Sequence, residues 1–212
     1  GPGVTNTVTG VATAYLDSVP MVLITGQVGT ALMYKSSFQE VDTIGLMMPI
    51  TKHSRLVTRA DDIGPAIAEA FQIANRGRKG PVVVDITKDA QMSEVSDPSY
   101  TVRTVEPDTR HSRYLPAIAK ACELIRQAKR PVIYAGGGVV NAQAQDELHA
   151  LALQCNLPIV NSLRGLGSFD RTHPLSRGVV GMHGQRDTNL LVYDADVVLG
   201  LGVRFSDRAI GH

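Results

Sequence analysis

Two arginines, Arg204 and Arg208, follow a pair of glycine-rich turns, Gly181-Met182-His183-Gly184 and Gly200-Leu201-Gly202. Guanidinium groups stay charged at physiological pH and grip phosphate or carboxylate with two parallel hydrogen bonds, so the chemistry on offer is anion binding. A short amphipathic segment and the apolar run Val197-Val198-Leu199 separate the turns, giving turn, helix, strand and turn. In an open α/β sheet, ligands lie at the turns that follow the carboxyl ends of strands. The same pattern also fits a plain βα unit whose glycines only permit tight turns.

Two earlier strand exits have the same character. Gly136-Gly137-Gly138 follows Pro131-Val132-Ile133-Tyr134, and Ser162-Leu163-Arg164-Gly165 follows Pro158-Ile159-Val160. With Gly202-Val203-Arg204 they are expected to lie side by side at one sheet edge, as a nucleotide cleft or as three ordinary turns. None carries G-x-G-x-x-G, because Val139-Val140-Asn141-Ala142 follows the first, so an NAD site is weakly supported. His183 sits between two glycines, either facing a ligand or making a structural hydrogen bond. His53, His111, His149, His173 and His212 are scattered, and neither a nucleophile–base pair nor a metal-ligand spacing is present. In the first half, Lys88 at the end of an apolar strand and Gln39 beside Phe38 are the polar groups best placed at turns, or are mere surface. Arg76, Arg78 and Lys79 form a basic knot before a strand, a solvated loop or a phosphate contact.

The elements that must position these groups alternate between helix and strand. Val4, Val8, Val11, Ala12 and Tyr15 recur at helical spacing, and Pro20 ends that segment before Met21-Val22-Leu23-Ile24. The stretch from Gln27 to Thr51 reads as irregular, with short helical pieces at Ser37 to Glu40 and before Pro49. Asp61 and Asp62 can cap a helix whose stripe is Ile63, Ala66, Ile67, Ala70, Phe71 and Ala74. Val82-Val83-Val84-Asp85-Ile86 is the nearly all-apolar strand that a sheet covered on both faces requires. Residues 92–112 lack periodicity and read as a linker. Beyond it, helices near Tyr114 to Ala128 and Ala142 to Cys155 alternate with the strands already named. The predicted architecture is α/β with parallel sheets and right-handed crossovers in both halves, residues 1–91 and 113–212.

With 21 Lys and Arg against 20 Asp and Glu the chain has no bias toward nucleic acid or membrane surfaces, and no apolar run reaches membrane-spanning length. Cys122 and Cys155 fall on apolar positions of predicted helices, which favours buried thiols over a disulfide. The chain starts Gly1-Pro2-Gly3 and runs at once into a helix pattern, and its end follows directly on a strand and turn. Both ends read as cuts within a longer polypeptide.

Seven segments, in order, carry a resemblance. Gly1-Pro2-Gly3-Val4-Thr5-Asn6, Phe38-Gln39-Glu40, Gly77-Arg78-Lys79-Gly80-Pro81-Val82, Asp85-Ile86-Thr87-Lys88-Asp89, Gly165-Leu166-Gly167-Ser168-Phe169, Gly181-Met182-His183-Gly184 and Arg204-Phe205-Ser206-Asp207-Arg208 resemble the acetolactate synthase large subunits, a family of thiamine-diphosphate enzymes. The resemblance implies the end of a pyrimidine-binding domain (1–91) and most of a Rossmann-like central FAD-binding domain (113–212). The activating glutamate and the Mg²⁺ ligands are expected outside this chain, so no catalytic or metal residue is assigned within it.

In the family, pyruvate is decarboxylated on thiamine diphosphate and the two-carbon unit is added to pyruvate or 2-oxobutanoate, a step in isoleucine and valine biosynthesis. Carried over residue by residue, the resemblance implies thiamine-diphosphate contacts at Pro2, Asn6 and Gln39. It implies a substrate channel lined by Phe38, Lys88, Met182 and Arg208, with Arg208 pairing with the acceptor carboxylate. FAD contacts are implied at Arg78, Gly136, Gly137, Gly138, Ser162, Leu163, Arg164, His183, Gly202, Val203 and Arg204. The flavin has no net redox role in this reaction. It further implies a homodimer or tetramer, a regulatory small subunit, and a prokaryotic cytoplasmic or a plant or fungal organellar setting. A pyruvate oxidase or 2-oxo acid decarboxylase of the same superfamily, and a non-catalytic nucleotide-binding module, are the alternative readings. Ser206 departs from the family's commoner Asp, removing a carboxylate beside the expected ribityl chain, and Gly29 stands where many relatives have Pro or Ala.

Overall fold

The computed structural model describes residues 1–98 and 110–210. Residues 99–109 of the segment read as a linker lie outside the described residues, as does His212. The chain divides into two compact units, Gly1–Pro107 and Asp108–His212.

The first unit is built around a strand with no exposed residue. It contains α1 (Pro2–Thr5), α2 (Val8–Leu16), β1 (Met21–Gln27), α3 (Thr43–Met47), β2 (His53–Val57), α4 (Ile63–Asn75), β3 (Pro81–Thr87) and α5 (Lys88–Met92). All three strands are parallel in the order β1-β3-β2, with Leu23 opposite Val83 and Arg55 opposite Val84. Side chains alternate across the central β3. Val82, Val84 and Ile86 meet the small face of α4, Ala66, Ala70 and Ala74, where the absence of bulk lets helix and sheet approach. Val83 faces the other way, onto Val4, Val11 and Met47 of α1, α2 and α3. Each buried valine or isoleucine contributes about 1.5–3 kcal/mol.

The second unit contains α6 (Leu115–Gln127), β4 (Pro131–Ala135), α7 (Gly137–Ala142), α8 (Gln145–Cys155), β5 (Ile159–Asn161), β6 (Ser176–Val179), α9 (Arg186–Tyr193), β7 (Val197–Leu201) and α10 (Asp207–Ile210). Its parallel sheet has the order β6-β5-β4-β7. Ile133, Ala135 and Ile159 pack with Val139, Leu148 and Ala152 on one face. Val132, Tyr134 and Val160 pack with Leu191 and Val192 of α9 and with Ala209 of α10 on the other. The chain steps outward from β4 to β5 to β6 and then returns past β4 to β7. The order therefore reverses between β4 and β7, which is where open α/β sheets hold ligands.

Several expectations are corrected. Residues 37–40 form a turn and not a helix, because Tyr34, Ser36 and Gln39 take left-handed φ values of 61°, 54° and 63°. Backbone N–H groups of Tyr34 and Ser37 are captured by the Glu40 carboxylate instead of by helical carbonyls. Cys122 and Cys155 are exposed, not buried. Leu115 and Ile118, which share the stripe of Cys122 on α6, are also exposed, and the helix meets the core through Ile125. At the end of α8, Asn156 turns left-handed at φ 50° and Leu157 takes the core position that Cys155 would have filled. The helix expected over 142–155 is α8 alone, while the triple glycine opens a separate α7 that ends at Gln143 with φ 56°. Strands β2 and β6 have no counterpart in the sequence pattern. Both are sheet edges, where polar residues such as Arg55 and Arg177 interrupt the apolar alternation.

Candidate functional site

In the second unit three turns meet at the carboxyl edge of the sheet. The Gly136 N–H donates to the Leu201 carbonyl at 2.8 Å and the Gly138 N–H to the Gly202 carbonyl at 2.9 Å. A Cβ added to Gly136 would lie 2.3 Å from the Gly202 oxygen, and one on Gly165 would lie 2.3 Å from the Ala135 oxygen. The glycines therefore let backbone pack on backbone. Between β4 and β5, the Ser162 N–H donates to Ala135 at 3.0 Å, and the Ser162 hydroxyl accepts from Gly165 at 3.1 Å. Gly137 abuts Arg164, whose Cβ lies 3.0 Å from where a Gly137 Cβ would stand. Gly136, Gly137, Gly138, Ser162, Arg164, Gly202 and Val203 are thus brought together, with Leu163 and Arg204 exposed beside them.

Asn161 was not among the expected site residues, yet it fixes this edge. Its buried amide donates to the Gly165 carbonyl and to the Ser168 hydroxyl, both at 3.0 Å. A polar residue closing an apolar three-residue strand was the available signal.

The Gly181–Gly184 turn is clamped by α9, with the Gly181 N–H donating to Asn189 at 2.8 Å and Asn189 donating back at 3.1 Å. The Met182 N–H donates to the Arg208 carbonyl at 2.8 Å, so the two segments expected at the substrate channel are joined. Met182, His183 and Arg208 remain exposed, and the Arg208 guanidinium has no ion-pair partner among the described residues. A cavity of about 610 Å³ opens beside His183, bounded by Asn161, Leu166, Arg177, Gln185 and Thr188. It includes none of the glycines at 136–138 or 202, so it lies on the β6 flank rather than at the β4/β7 reversal.

In the first unit the N-terminal segment meets the Phe38–Gln39 turn, since a Cβ on Gly1 would lie 1.9 Å from the Gln39 oxygen. Asn6 and Gln39 are exposed, and neither side-chain amide makes a hydrogen bond among the described residues. Phe38 is 87% exposed and Lys88 is also exposed. Arg78 is engaged within its own unit, donating to the Ser18 hydroxyl at 2.9 Å and to the Tyr15 carbonyl at 3.2 Å. The Glu40 carboxyl is held below its ordinary range by the N–H groups of Tyr34 and then Ser37. Gly29 has φ −61°, and an added Cβ would come no closer than 3.9 Å to Asp89, so alanine fits there without strain.

Asp89 holds the start of the loop that follows β1. It accepts from the Thr30 hydroxyl and from the Thr30 N–H at 3.2 Å, and the hydroxyl above all lowers its pKa from 3.8 to about 2. The native state thus prefers the ionised form. Asp89 adds stability above pH 3.8, and that contribution disappears as pH falls through about 2. Thr30→Val is expected to return the Asp89 pKa toward 3.8 in a ¹³C carboxyl titration; an unmoved pKa would refute the assignment.

Among the described residues no group of three or more His, Cys, Asp or Glu could hold a metal ion, and no helix is long and apolar enough to cross a membrane. Residues 1–46 match the thiamine pyrophosphate enzyme N-terminal TPP binding domain, and residues 118–212 match the thiamine pyrophosphate enzyme central domain. Acetolactate synthase large subunits of Corynebacterium glutamicum and Buchnera aphidicola from Acyrthosiphon pisum are 46% and 43% identical, over 100% and 98% of this chain. The chain belongs to the thiamine pyrophosphate enzymes.

Within these enzymes its likeness to acetolactate synthase large subunits extends to isozyme 3 of Escherichia coli, at 42% identity. The chain spans 34% to 37% of the length of these relatives. A solved Mycobacterium smegmatis protein, described as a thiamin diphosphate-dependent enzyme, superposes with a TM-score of 0.81 at 26% identity, covering 96% of this chain and 39% of that one. The parallel α/β fold of thiamine pyrophosphate enzyme domains is common to them.

Proposed function

We propose that the chain supplies the cofactor-facing turn and the nucleotide-binding sheet of an acetolactate synthase, which condenses pyruvate with pyruvate or 2-oxobutanoate and releases CO₂. The observation that carries this reading is the bond from the Met182 N–H to the Arg208 carbonyl, at 2.8 Å. It ties the Gly181–Gly184 turn to the arginine segment, and both the Met182 thioether and the Arg208 guanidinium, which has no ion pair among the described residues, are exposed on the joined segments. Such a pair suits an acid with a short apolar tail.

Thiamine diphosphate, held by Mg²⁺ ligands from elsewhere in the full-length enzyme, supplies the electron sink for decarboxylation. In this chain Pro2, Asn6 and Gln39 would face its pyrimidine, and the exposed amides of Asn6 and Gln39 suit a polar ring. In the first unit the exposed Phe38 and Lys88 would face substrate in the full-length enzyme, and in the second unit the exposed Met182 and Arg208 would do so. FAD would lie along the three turns at the β4/β7 reversal, with Arg164 and Arg204 toward its anionic part and His183, Leu163 and Val203 beside it. The fit is partial at Ser206, which offers a hydroxyl where a carboxylate is commoner. Arg78 would be available to a nucleotide phosphate only by giving up its bonds to Ser18 and Tyr15 within its own unit. We further infer an oligomeric catalytic subunit able to take a regulatory small subunit.

Product analysis with pyruvate tests the reading. The full-length enzyme is expected to release acetolactate, and acetaldehyde or acetyl phosphate in its place would assign it to the decarboxylases or oxidases. This chain alone is expected to show no pyruvate turnover, since no carboxylate cluster among its described residues could hold the cation of a diphosphate. Turnover by the chain alone would overturn that.

A further inference from the structure

We propose that Asp85 is a positioning residue, setting the Phe38–Gln39 turn through the side-chain amide of Gln27. This rests on the reading that the turn faces cofactor and substrate. Asp85 is 0% exposed in the middle of β3, among valines and isoleucine, where an acid without partners would be strongly destabilising. Each of its oxygens accepts one bond. Thr25 Oγ1 donates to Oδ1 at 2.7 Å, and Gln27 Nε2 donates to Oδ2 at 3.0 Å.

The other proton of that amide goes to the Val41 carbonyl at 2.8 Å, and Gln27 Oε1 accepts from the Val28 N–H at 3.0 Å. Gln27 is itself buried and joins two segments of loop to the sheet. Which way round its amide sits decides everything. A flipped amide would set oxygen against both the Val41 carbonyl and Asp85 Oδ2, and NH₂ against the Val28 N–H, replacing three attractions by three repulsions. Asp85 Oδ2 accepts from the NH₂ group in this orientation, so the core side selects the same one as the loop.

The consequence reaches the turn directly. Val41 lies two residues after Gln39, and the Thr43 N–H donates to the same Val41 carbonyl at 2.9 Å. The residue between, Glu40, closes the turn onto Tyr34 and Ser37. Gln39 stands at φ 63° with its carbonyl against Gly1, so its placement is coupled to the segment that carries Pro2 and Asn6. The path runs by hydrogen bonds from Asp85 through Gln27 to Val41, and from there along two residues of backbone to Gln39. No hydrogen bond links Asp85 to the turn itself.

Amide hydrogen exchange on the ¹⁵N-labelled 212-residue chain provides the test. In Asp85→Asn, the amides of Val28, Glu40 and Thr43 are expected to exchange about tenfold faster or more, while Val83 on the same strand stays within about twofold of wild type. Unchanged loop amides, or a uniform rise that includes Val83, would overturn the proposal. If that variant fails to fold, Gln27→Met removes both loop bonds while keeping the Thr25–Asp85 pair, and the same selective rise is expected.

Pairing Asp85→Asn with Gln27→Glu exchanges donor and acceptor across the contact. It is expected to restore protection at Val28 but not at Thr43, because the Val41 carbonyl still lacks its donor. A role confined to general stability predicts no such split. In the full-length enzyme, Asp85→Asn is expected to weaken thiamine diphosphate binding about tenfold by calorimetry. Loosened loop amides with unaltered cofactor affinity would count against the cofactor-facing reading while leaving the positioning role intact.

Discussion

Replacing Arg208 by alanine in the full-length enzyme is expected to lower transfer to the acceptor acid by about 10²-fold or more while leaving pyruvate decarboxylation within about threefold of wild type. The difference follows from where charge must be recognised. The acceptor presents a carboxylate throughout its addition, and a guanidinium with no competing ion pair among the described residues is free to hold it with two charge-assisted bonds. The first pyruvate instead loses its carboxylate as CO₂, and a strong hold on that group would oppose its departure. Release of acetaldehyde should therefore rise as acetolactate falls. Arg208→Lys keeps the charge but not the fork, and is expected to recover only part of the ligation rate. Equal loss of both steps in Arg208→Ala would remove the assigned role.

The parallel sheets were legible because their central strands are apolar on both faces: Val82 to Ile86 and Pro131 to Tyr134 admit few other readings. Of the four edge strands, β1 and β7 were legible from their apolar runs, whereas β2 and β6 were not, since arginines interrupt their pattern. The meeting of Gly136–Gly138, Ser162–Gly165 and Gly202 was also foreseeable, because turns at the carboxyl ends of adjacent parallel strands share an edge. What local pattern could not give was conformation that depends on a distant partner. The Phe38–Gln39 turn is held by Glu40, Gln27 and Gly1, and nothing in its own composition opposes a helix. Asp85 shows the same limit. Read along the strand it is a polar interruption, and only the parallel register with Thr25 turns it into a buried junction.

The thiols failed for a related reason. Helical spacing identifies which side of a helix is apolar, but not whether the rest of the chain covers that side along its whole length. Ile125 reaches the core and Ile118, two turns earlier on the same stripe, does not.

The glycine edge supports the largest stability effect expected in the molecule, and two glycines with the same backbone angle isolate its cause. Gly77 and Gly202 both sit at φ 61°. Around Gly77 an added Cβ meets nothing within 4 Å, whereas at Gly202 it would lie 2.6 Å from both the Gly138 Cα and the Val139 nitrogen. Gly77→Ala therefore carries only the left-handed backbone cost, about 1 kcal/mol. Gly202→Ala adds overlap with backbone on the neighbouring turn, which cannot rotate away as a side chain would, for a total of about 3–5 kcal/mol. Urea denaturation followed by probes in each unit checks this. The second unit should unfold at markedly lower urea in Gly202→Ala, with the first unit little changed, while Gly77→Ala shifts the first unit slightly. Because the overlap would push the β4 and β7 turns apart, Gly202→Ala should also weaken the FAD retention proposed for this edge, even in the fraction that remains folded. Similar destabilisation by the two substitutions would mean that backbone conformation alone, and not the packing of turn against turn, selects glycine at this edge.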